Sequence, residues 1–356
     1  MSSYINSIGI ANPSFKHEQD DILSFMLNDV SAIEQQRKLK AAFRASGVDT
    51  RYSILPDFGT SLTTSHFLAS TPLVETRMKK YKEEALPLAL HAIKNCFEGS
   101  SITPPEITHL ITVSCTGMYA PGLDIDIINA LQLSPQTARA CLNFMGCNAA
   151  INALRMADAI ARAETKANIL IVCVELCTLH YQPSTSDDFI LSNTLFSDGA
   201  AAVLVSEEKA NSLFEINQFY SALHAEGAAD MCWNINAKGF EMVLSSYVPT
   251  LIKSGIEHLL KSTDLDLNTS DHFAIHPGGK KILDTVRLAL NKNEEDLFDS
   301  YNTLKSYGNM SSPTILFVLH SMSKNNTIKK SAVVTALSFG PGLTIEAMKL
   351  VVVGAN

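Results

Sequence analysis

Apolar residues follow two different periods along this chain, and the change from one to the other predicts alternating strands and helices. The segments 109–114 and 168–174 are almost continuously apolar, which is typical of strands buried on both faces. The segments 77–96 and 147–164 repeat apolar positions at helical spacing instead. We therefore expect an α/β protein whose helices pack on a buried sheet. The remaining strands are predicted at 4–10, 200–205 and 344–352, and the remaining helices at about 30–45 and 124–131.

The order strand, helix, helix, strand occurs a second time in the chain. The later copy has strands at 272–276 and 332–337 and helices at 281–290 and 311–322. The interval from His109 to Ile169 equals the interval from His272 to Ala332. Such a repeat predicts two similar halves packed about a pseudo-twofold axis. We place the first half, which carries the candidate nucleophile, at residues 1–210 and the second at 211–356, with no linker between them.

Composition and charge exclude several classes of protein. The 356 residues are 46% hydrophobic and carry a formal net charge of −8, which argues against a nucleic-acid-binding protein. None of the 7 cysteines forms a Cys-x-x-Cys pair, so we expect no metal site and a reducing compartment. Neither a signal peptide nor an apolar stretch of membrane-spanning length is visible. These features predict a cytoplasmic protein that does not enter a membrane.

The first candidate for chemistry is Cys147. It follows Gly146 and opens the predicted helix at 147–164, where unpaired backbone N–H groups and the helix dipole favour a thiolate. Gly146 and the small residues after Cys147 suit a sharp strand-to-helix turn that presents a nucleophile. The alternative is that Cys147 is a buried small apolar residue, as free cysteines often are.

Two further candidates belong to the second half of the chain. His276 ends a predicted strand and precedes Pro277-Gly278-Gly279, and Asn309 lies beside Met310, the position that corresponds to Cys147 in the repeat. An imidazole within reach of a thiol supports attack on a thioester, and His and Asn together offer two donors to an enolate oxygen. Such a pair suits decarboxylative carbon–carbon bond formation. The alternatives are a core histidine and a helix-capping asparagine.

Five motifs in order resemble one family, the type III polyketide synthases of the chalcone and stilbene synthase group in the thiolase superfamily. The resemblance covers almost the whole chain. The motifs lie at 145–150, 195–202, 275–279, 307–312 and 338–344. The resemblance implies a thiolase-like αβαβα fold with two duplicated halves, assembled as a homodimer.

The resemblance also implies roles for individual residues. An acyl starter would be loaded from coenzyme A onto Cys147, while His276 and Asn309 would bind malonyl-CoA and stabilise its enolate. Phe196 matches the family's aromatic gate, where an apolar face favours loss of carbon dioxide. The loop Gly340-Pro341-Gly342 would line the cavity floor. Phe196 as a core residue and 340–342 as an ordinary turn are the alternatives.

Some positions depart from the plant members of the family. The second gating aromatic falls on Met242, Cys115 replaces a threonine that narrows the cavity, and Trp233 stands where plant enzymes keep a glycine. The coenzyme A phosphates would be met by basic residues of the early helix, Lys38, Lys40 and Arg44, of which Lys38 matches a family position. Two other basic positions of the family are alanines here. A solvated helix face, or a starter carried by an acyl carrier protein, would also fit this pattern.

The expected function is therefore a polyketide synthase that uses no cofactor. It would extend an acyl starter with several malonyl-CoA units and cyclise the product, and we expect an alkylpyrone or alkylresorcinol from a fatty acyl starter. A ketoacyl synthase III that makes a single condensation is the rival enzyme. A catalytically silent thiolase-fold protein that binds acyl chains is the rival from another class, and a cysteine-dependent hydrolase is a further alternative.

Overall fold

The chain begins with a strand and alternates between helices and strands thereafter, as the sequence pattern predicts. The computed structural model describes residues 2–28, 30–59, 67–184, 186–245 and 247–354. Its first half comprises β1 (Ser3–Ala11), β2 (Phe15–Glu18), α1 (Gln19–Leu27), α2 (Ile33–Ala45), β3 (Thr50–Ser53), α3 (Val74–Glu98), β4 (His109–Ser114), α4 (Leu123–Leu131), β5 (Ala138–Asn143), α5 (Ala149–Ala163), β6 (Asn168–Leu176), α6 (Asp187–Leu195) and β7 (Asp198–Ser206).

The second half repeats part of this order and adds a hairpin. It comprises β8 (Phe214–Leu223), β9 (Met231–Asn236), β10 (Gly239–Leu244), α7 (Val248–Ser262), β11 (His272–Ile275), α8 (Lys280–Ala289), α9 (Phe298–Tyr307), α10 (Thr314–Ser323), β12 (Val333–Gly340) and β13 (Thr344–Val352). Several of these elements, including α1, α7 and the hairpin β9–β10, do not appear among the elements predicted from the sequence.

The sheet shows the duplication directly. Within the described ranges, nine strands form one mixed sheet in the order β11-β12-β13-β8-β1-β7-β6-β4-β5. The antiparallel pair β1 and β8 lies at the centre, and on each side of it follow two antiparallel pairings and one parallel pairing. Strands β4 and β6 thus correspond to β11 and β12. Strand β5, at one edge, is the member without a counterpart.

Five layers result because alternate residues of the central strands face opposite cores. In β6, Ile169 and Ile171 pack with α5 and α10, whereas Leu170 and Val172 pack with α3. Strands of the second half contribute Val334 and Met348 to the core of α5 and α10 and turn their other faces to α7 and α8. The central helices α5 and α10 therefore lie between the two halves of the sheet. The predicted thiolase-like αβαβα fold with duplicated halves is confirmed.

The beginnings of the two central helices differ from the sequence prediction. Helix α5 begins at Ala149, with Asn148 at the N-cap position, so Cys147 lies two residues before the first helical residue. Helix α10 begins at Thr314 with Pro313 at its N-cap, so Asn309 does not cap it. In both halves an irregular turn precedes the helix, because the chain must redirect a side chain toward the space between the halves.

Candidate active site

The turn that carries Cys147 depends on a glycine. After β5 the chain adopts a positive φ of 60° at Phe144 and 82° at Gly146. A Cβ atom on Gly146 would lie 2.1 Å from the Cδ atom of Pro341, a contact that no side chain can make. The first half of the protein is thus in close backbone contact with the 340–342 loop of the second half. That contact explains why the sequence places Gly before Cys147.

Cys147 is buried, and its surroundings hold the pKa of its thiol above the ordinary value. Burial raises the pKa of its thiol to about 12, hydrogen bonds with the side chains of Ser311 and Asn309 lower it in part, and the charge of Glu175 raises it further. The helix N-terminus favours a thiolate, but burial in this site outweighs that effect. A thiolate at Cys147 therefore requires a neighbouring group that accepts the thiol proton, and the thiolate expected from the sequence stays a prediction.

His276 brings an unpaired imidazole to the same place. It follows β11, and its backbone N–H donates to the carbonyl of Leu337 at 2.8 Å. Neither ring nitrogen has a hydrogen-bond partner among the described residues, and burial lowers the pKa of the imidazole to about 3. A buried ring with both nitrogens unsatisfied is uncommon in a protein core. This histidine is therefore a neutral group that is free to exchange a proton or donate a hydrogen bond to a ligand.

Asn309 is oriented by its own backbone neighbours. Its Oδ1 atom accepts a hydrogen bond from the N–H of Ser311 at 2.8 Å. Its Nδ2 atom is 3.5 Å from the carbonyl oxygen of Gly278. That distance is too long for a strong hydrogen bond. Because His276 lies against Gly278 and Asn309 interacts with Cys147, the three predicted side chains meet at one site. They are exposed by only 5%, 1% and 2% for Cys147, His276 and Asn309.

Phe196 is held next to Asn309 by main-chain hydrogen bonds. The N–H of Asn309 donates to Leu195 at 2.8 Å, and the N–H of Ser197 donates to the carbonyl of Asn309 at 2.9 Å. Arg51, which sequence reasoning missed, donates to the carbonyl of Phe196 at 2.8 Å. A buried guanidinium thus fixes the backbone of the predicted gate. No sequence signal distinguished Arg51 from other basic residues.

A small aromatic chamber lies beside Phe196. It has a volume of about 30 Å³ and includes Met242, as expected, together with Trp233 and Phe240. The indole N–H of Trp233 donates to the carbonyl of Cys115 at 2.7 Å, so this side chain crosses one side of the chamber. The departure from glycine at Trp233 therefore narrows the space next to Phe196.

Cys115 and the 340–342 loop contact the Cys147 turn rather than this chamber. The Sγ atom of Cys115 accepts the N–H of Gly146 at 3.0 Å. A Cβ atom on Gly340 would lie 2.6 Å from the Oδ1 atom of Asn148, and the N–H of Gly342 donates to Met231 at 3.1 Å. Cys115 and the 340–342 loop therefore both contact residues next to Cys147.

Glu175 is the second residue that sequence reasoning missed. Its carboxylate is fully buried and accepts hydrogen bonds from the Cys115 N–H at 2.9 Å, the Thr116 hydroxyl at 2.8 Å and the Ser312 hydroxyl at 2.7 Å. Burial raises its pKa to about 7. Because Ser312 belongs to the second half, this carboxylate connects the two halves next to Cys147. A glutamate near the end of the apolar strand β6 was the available signal.

A second cavity, of about 230 Å³, lies between α2 and the start of α8. Its walls include Ala42 and Ala45 from α2 and Leu195, next to Phe196. Lys280 and Lys281 also line it, whereas Lys38, Lys40 and Arg44 do not. The Nζ atom of Lys38 is paired with the carboxylate of Asp187. The role of Lys38, Lys40 and Arg44 in binding coenzyme A stays a prediction.

The layered fold and the buried Cys, His and Asn define a condensing enzyme of the thiolase-fold class. The family model for the N-terminal domain of chalcone and stilbene synthases matches residues 2–209, and the model for the C-terminal domain matches residues 216–354. The chain belongs to the chalcone and stilbene synthase family, whose members are type III polyketide synthases. The predicted family is confirmed, and so is the enzyme class, acyltransferases that perform Claisen condensations.

Known relatives agree with this assignment. The chain is 30% identical to "Alpha-pyrone synthesis polyketide synthase-like Pks18" of Mycobacterium tuberculosis over 88% of this chain and 82% of the relative. It is 28% identical to "Probable polyketide synthase 1" of Dictyostelium discoideum over 97% of this chain, but it spans only 11% of that longer protein.

Solved structures give the same result. The type III polyketide synthase domain of Steely1 from Dictyostelium superposes with a TM-score of 0.91 at 27% identity, covering 99% of this chain and 100% of that one. PKS-I of the brown alga Ectocarpus siliculosus gives 0.89 at 26% identity, covering 99% and 98%.

Membrane-spanning helices and metal-binding clusters are both absent from the part of the chain that the structure describes. None of the helices there is long and apolar enough to cross a membrane. The same part of the chain holds no group of three or more His, Cys, Asp or Glu side chains that is arranged to bind a metal ion.

Proposed function

We propose that this chain extends a fatty acyl starter by repeated decarboxylative condensation with malonyl-CoA and cyclises the product to an alkylpyrone or alkylresorcinol. The observation that carries the proposal is the buried convergence of the Cys147 thiol, the unpaired His276 imidazole and the Asn309 amide. Two buried ring nitrogens without partners cost stability, and the binding of an apolar acyl chain would not satisfy them.

In the loading step, the Cys147 sulfur attacks the carbonyl carbon of the starter thioester. The proton of the thiol passes to His276, and the imidazole returns it to the departing coenzyme A thiolate. A neutral imidazole can accept this proton, and the low pKa of His276 keeps it neutral at neutral pH. The starter is then held as a thioester on Cys147.

In the extension step, malonyl-CoA loses carbon dioxide and its thioester becomes an enolate. The enolate oxygen accepts hydrogen bonds from a ring N–H of His276 and from the Nδ2 atom of Asn309. The enolate carbon attacks the acyl carbonyl, and the electron pair of the broken bond returns to the Cys147 sulfur. Phe196 favours decarboxylation because an apolar face destabilises the carboxylate. Every proton and electron pair moves among these groups, so we propose that no cofactor takes part.

The pyrone or resorcinol product is supported by two features. The mycobacterial relative is named for alpha-pyrone synthesis. The second gating position is Met242, a flexible side chain that adapts to a linear chain more easily than an aromatic ring does. The chamber beside it is small, at about 30 Å³, so a fatty acyl chain requires Trp233 to swing aside.

The test is an incubation of the purified protein with labelled malonyl-CoA and acyl-CoAs of graded length, analysed by mass spectrometry. We expect cyclised products from long starters, none with Cys147→Ala, and a shift toward longer starters with Trp233→Ala. Elongation of short or aromatic starters alone would rule out the fatty acyl proposal while leaving the mechanism intact. One malonyl unit per product would instead indicate a ketoacyl synthase.

We also propose that two copies of the chain form a homodimer through β5. This strand lies at the edge of the sheet, its residues are only partly buried, and Cys141 is exposed. An uncovered edge strand is a template for pairing with another chain. Analytical ultracentrifugation should give twice the mass of one chain. A monomer at micromolar concentration would contradict this proposal.

A further inference from the structure

The cavity of about 230 Å³ between α2 and α8 is the feature of the structure that the mechanism above does not use. One wall is formed by Ala42 and Ala45 of α2 and by Ser46, the residue that follows this helix. The other wall is formed by the segment 278–282 at the start of α8. Leu195 lies at the same cavity, next to Phe196 of the candidate active site. Its walls are mostly small and apolar, except for two adjacent lysines.

The basic residues of α2 are not directed at this cavity. Lys40 and Arg44 are each two positions from Ala42, which places them about 200° around the helix from the residue that lines the cavity. Both are exposed. Lys38 lies on the cavity side of α2, but its ammonium group is paired with Asp187 at the start of α6. Lys40 and Arg44 thus point away from the cavity, and Lys38 is held by an ion pair on the cavity side of α2.

Lys280 and Lys281 occupy the other wall in an arrangement that helix stability does not favour. They are the first two residues of α8, whose first turn contains no acidic residue and whose N-cap, Gly279, supplies no side-chain hydrogen bond. Two cations at the positive end of a helix are mutually repulsive and oppose the helix dipole. An anion bound there would relieve both effects, so the site favours a negatively charged ligand.

Contacts fix the position of one lysine and leave the other available. A Cβ atom on Gly47, which follows α2, would lie 2.9 Å from the Cβ atom of Lys280, so the stem of Lys280 packs against the opposite wall. Its Nζ atom is 2.8 Å from Asp284. Lys281 is exposed and makes no ion pair within the described part of the chain. Lys281 can therefore bind an anion directly, whereas Lys280 would exchange its contact with Asp284 for one with the ligand.

The inner end of the cavity lies close to the unpaired imidazole of His276. Gly278 lines the cavity, and a Cβ atom on it would lie 3.9 Å from the Nε2 atom of His276. That nitrogen is buried and has no partner among the described residues. A ligand that carries phosphates at one end and a thioester at the other would satisfy the lysines and the imidazole together.

We propose that Lys280 and Lys281 of α8, rather than Lys40 and Arg44 of α2, bind the phosphates of the coenzyme A thioesters that this chain uses. The inference rests on the proposed function, because it takes coenzyme A as the carrier of the acyl groups. The pantetheine arm crosses the cavity over Gly278 and Gly279 and delivers the thioester to His276. In this chain the basic residues have therefore moved from one side of the cavity to the other.

The test compares two double variants that remove the same charge. Isothermal titration calorimetry with free coenzyme A should show at least tenfold weaker binding for Lys280→Gln/Lys281→Gln than for the wild type, and a smaller dependence on salt. Lys40→Gln/Arg44→Gln should bind within about twofold of the wild type. Circular dichroism checks that both variants fold, and glutamine keeps most of the Lys280 stem.

A second measurement uses malonyl thioesters with and without phosphates. The double variant on α8 should lose at least tenfold in kcat/KM for malonyl-CoA and far less for malonyl-N-acetylcysteamine, which carries no phosphate. Equal losses for both substrates, or weaker coenzyme A binding only in the α2 variant, would overturn the inference, as would a wild type that does not bind coenzyme A. Lysine-dependent binding without any product would overturn the proposed function alone.

Discussion

The two halves of this protein share one scaffold but carry different side chains of the candidate active site. In the first half, β5 leads into the turn that carries Cys147, ahead of α5. In the second half the corresponding segment is helix α9, and the turn after it carries Asn309, ahead of α10. Since α5 and α10 lie side by side between the halves, the two turns face each other. The duplicated halves thus contain two similar positions, of which one now carries a thiol and the other an amide.

The largest effect should come from the first half. Cys147→Ala removes the atom that carries the acyl chain, so product formation should fall by at least about 10⁴-fold. Intact-mass spectrometry after incubation with an acyl-CoA should show no acyl adduct. Cys232→Ala, a partly buried cysteine on β9, is the matched control and should keep the adduct. An adduct that survives in Cys147→Ala would assign the nucleophile to another residue.

Removing the donor in the second half should affect a different step. Asn309→Ala should slow malonyl-CoA decarboxylation by about 10²- to 10³-fold, because one hydrogen bond to the enolate oxygen is lost. Loading of the starter onto Cys147 in a single turnover should change far less. Release of labelled carbon dioxide and formation of the acyl adduct measure the two steps separately. Equal loss in both steps would show that the halves do not divide the reaction in this way.

The contact between the halves is tested by Gly146→Ala. The added Cβ atom would collide with Pro341 and would occupy a positive φ, so we expect a loss of about 2–4 kcal/mol in the free energy of unfolding. Denaturant titration measures it. Gly99→Ala is the control, since its nearest contact would be 3.6 Å and its φ is −93°. Similar stability for both variants would mean that the Pro341 contact yields easily.

The smallest expected effect concerns Glu175, which joins the halves beside Cys147. Its pKa of about 7 is raised by burial, so the carboxyl is neutral well below pH 7 and anionic above it. The anion raises the pKa of the Cys147 thiol. Glu175→Gln should therefore make alkylation of Cys147 by iodoacetamide several-fold faster above pH 7, and the advantage should disappear near pH 5.

That experiment is read as a ratio of rates at each pH. A ratio that grows as pH rises through about 7 supports the coupling between the two groups. A ratio that is the same at pH 5 and pH 9 would show that the substitution acts through structure rather than charge. The glutamine side chain has nearly the same shape as glutamate and keeps one oxygen that can accept a hydrogen bond from the Thr116 or the Ser312 hydroxyl, so the structural change should be small.

Much of the fold could be predicted from the sequence because it depends on local periodicity. The apolar runs of β4 and β6 and the helical spacing of α3 and α5 are properties of neighbouring residues, and the repeated intervals revealed the duplication. Helix α7 was missed although it has such a pattern, with Val248, Ile252 and Ile256 buried on one face, whereas other missed elements lack one. Helix α1 is short, and the strands β9 and β10 are defined by their pairing with each other rather than by their composition.

The sequence by itself determined the family, the order of the elements and the three candidate side chains, because motif spacing and hydrophobic period survive without coordinates. Only the tertiary structure decided the burial of Cys147 and the place of Glu175 beside it, because both depend on groups that are distant in the chain. The same holds for the basic residues. Whether a lysine faces a cavity depends on which side of its helix packs against the other half, and that packing brings Lys280 to the cavity and turns Lys40 away.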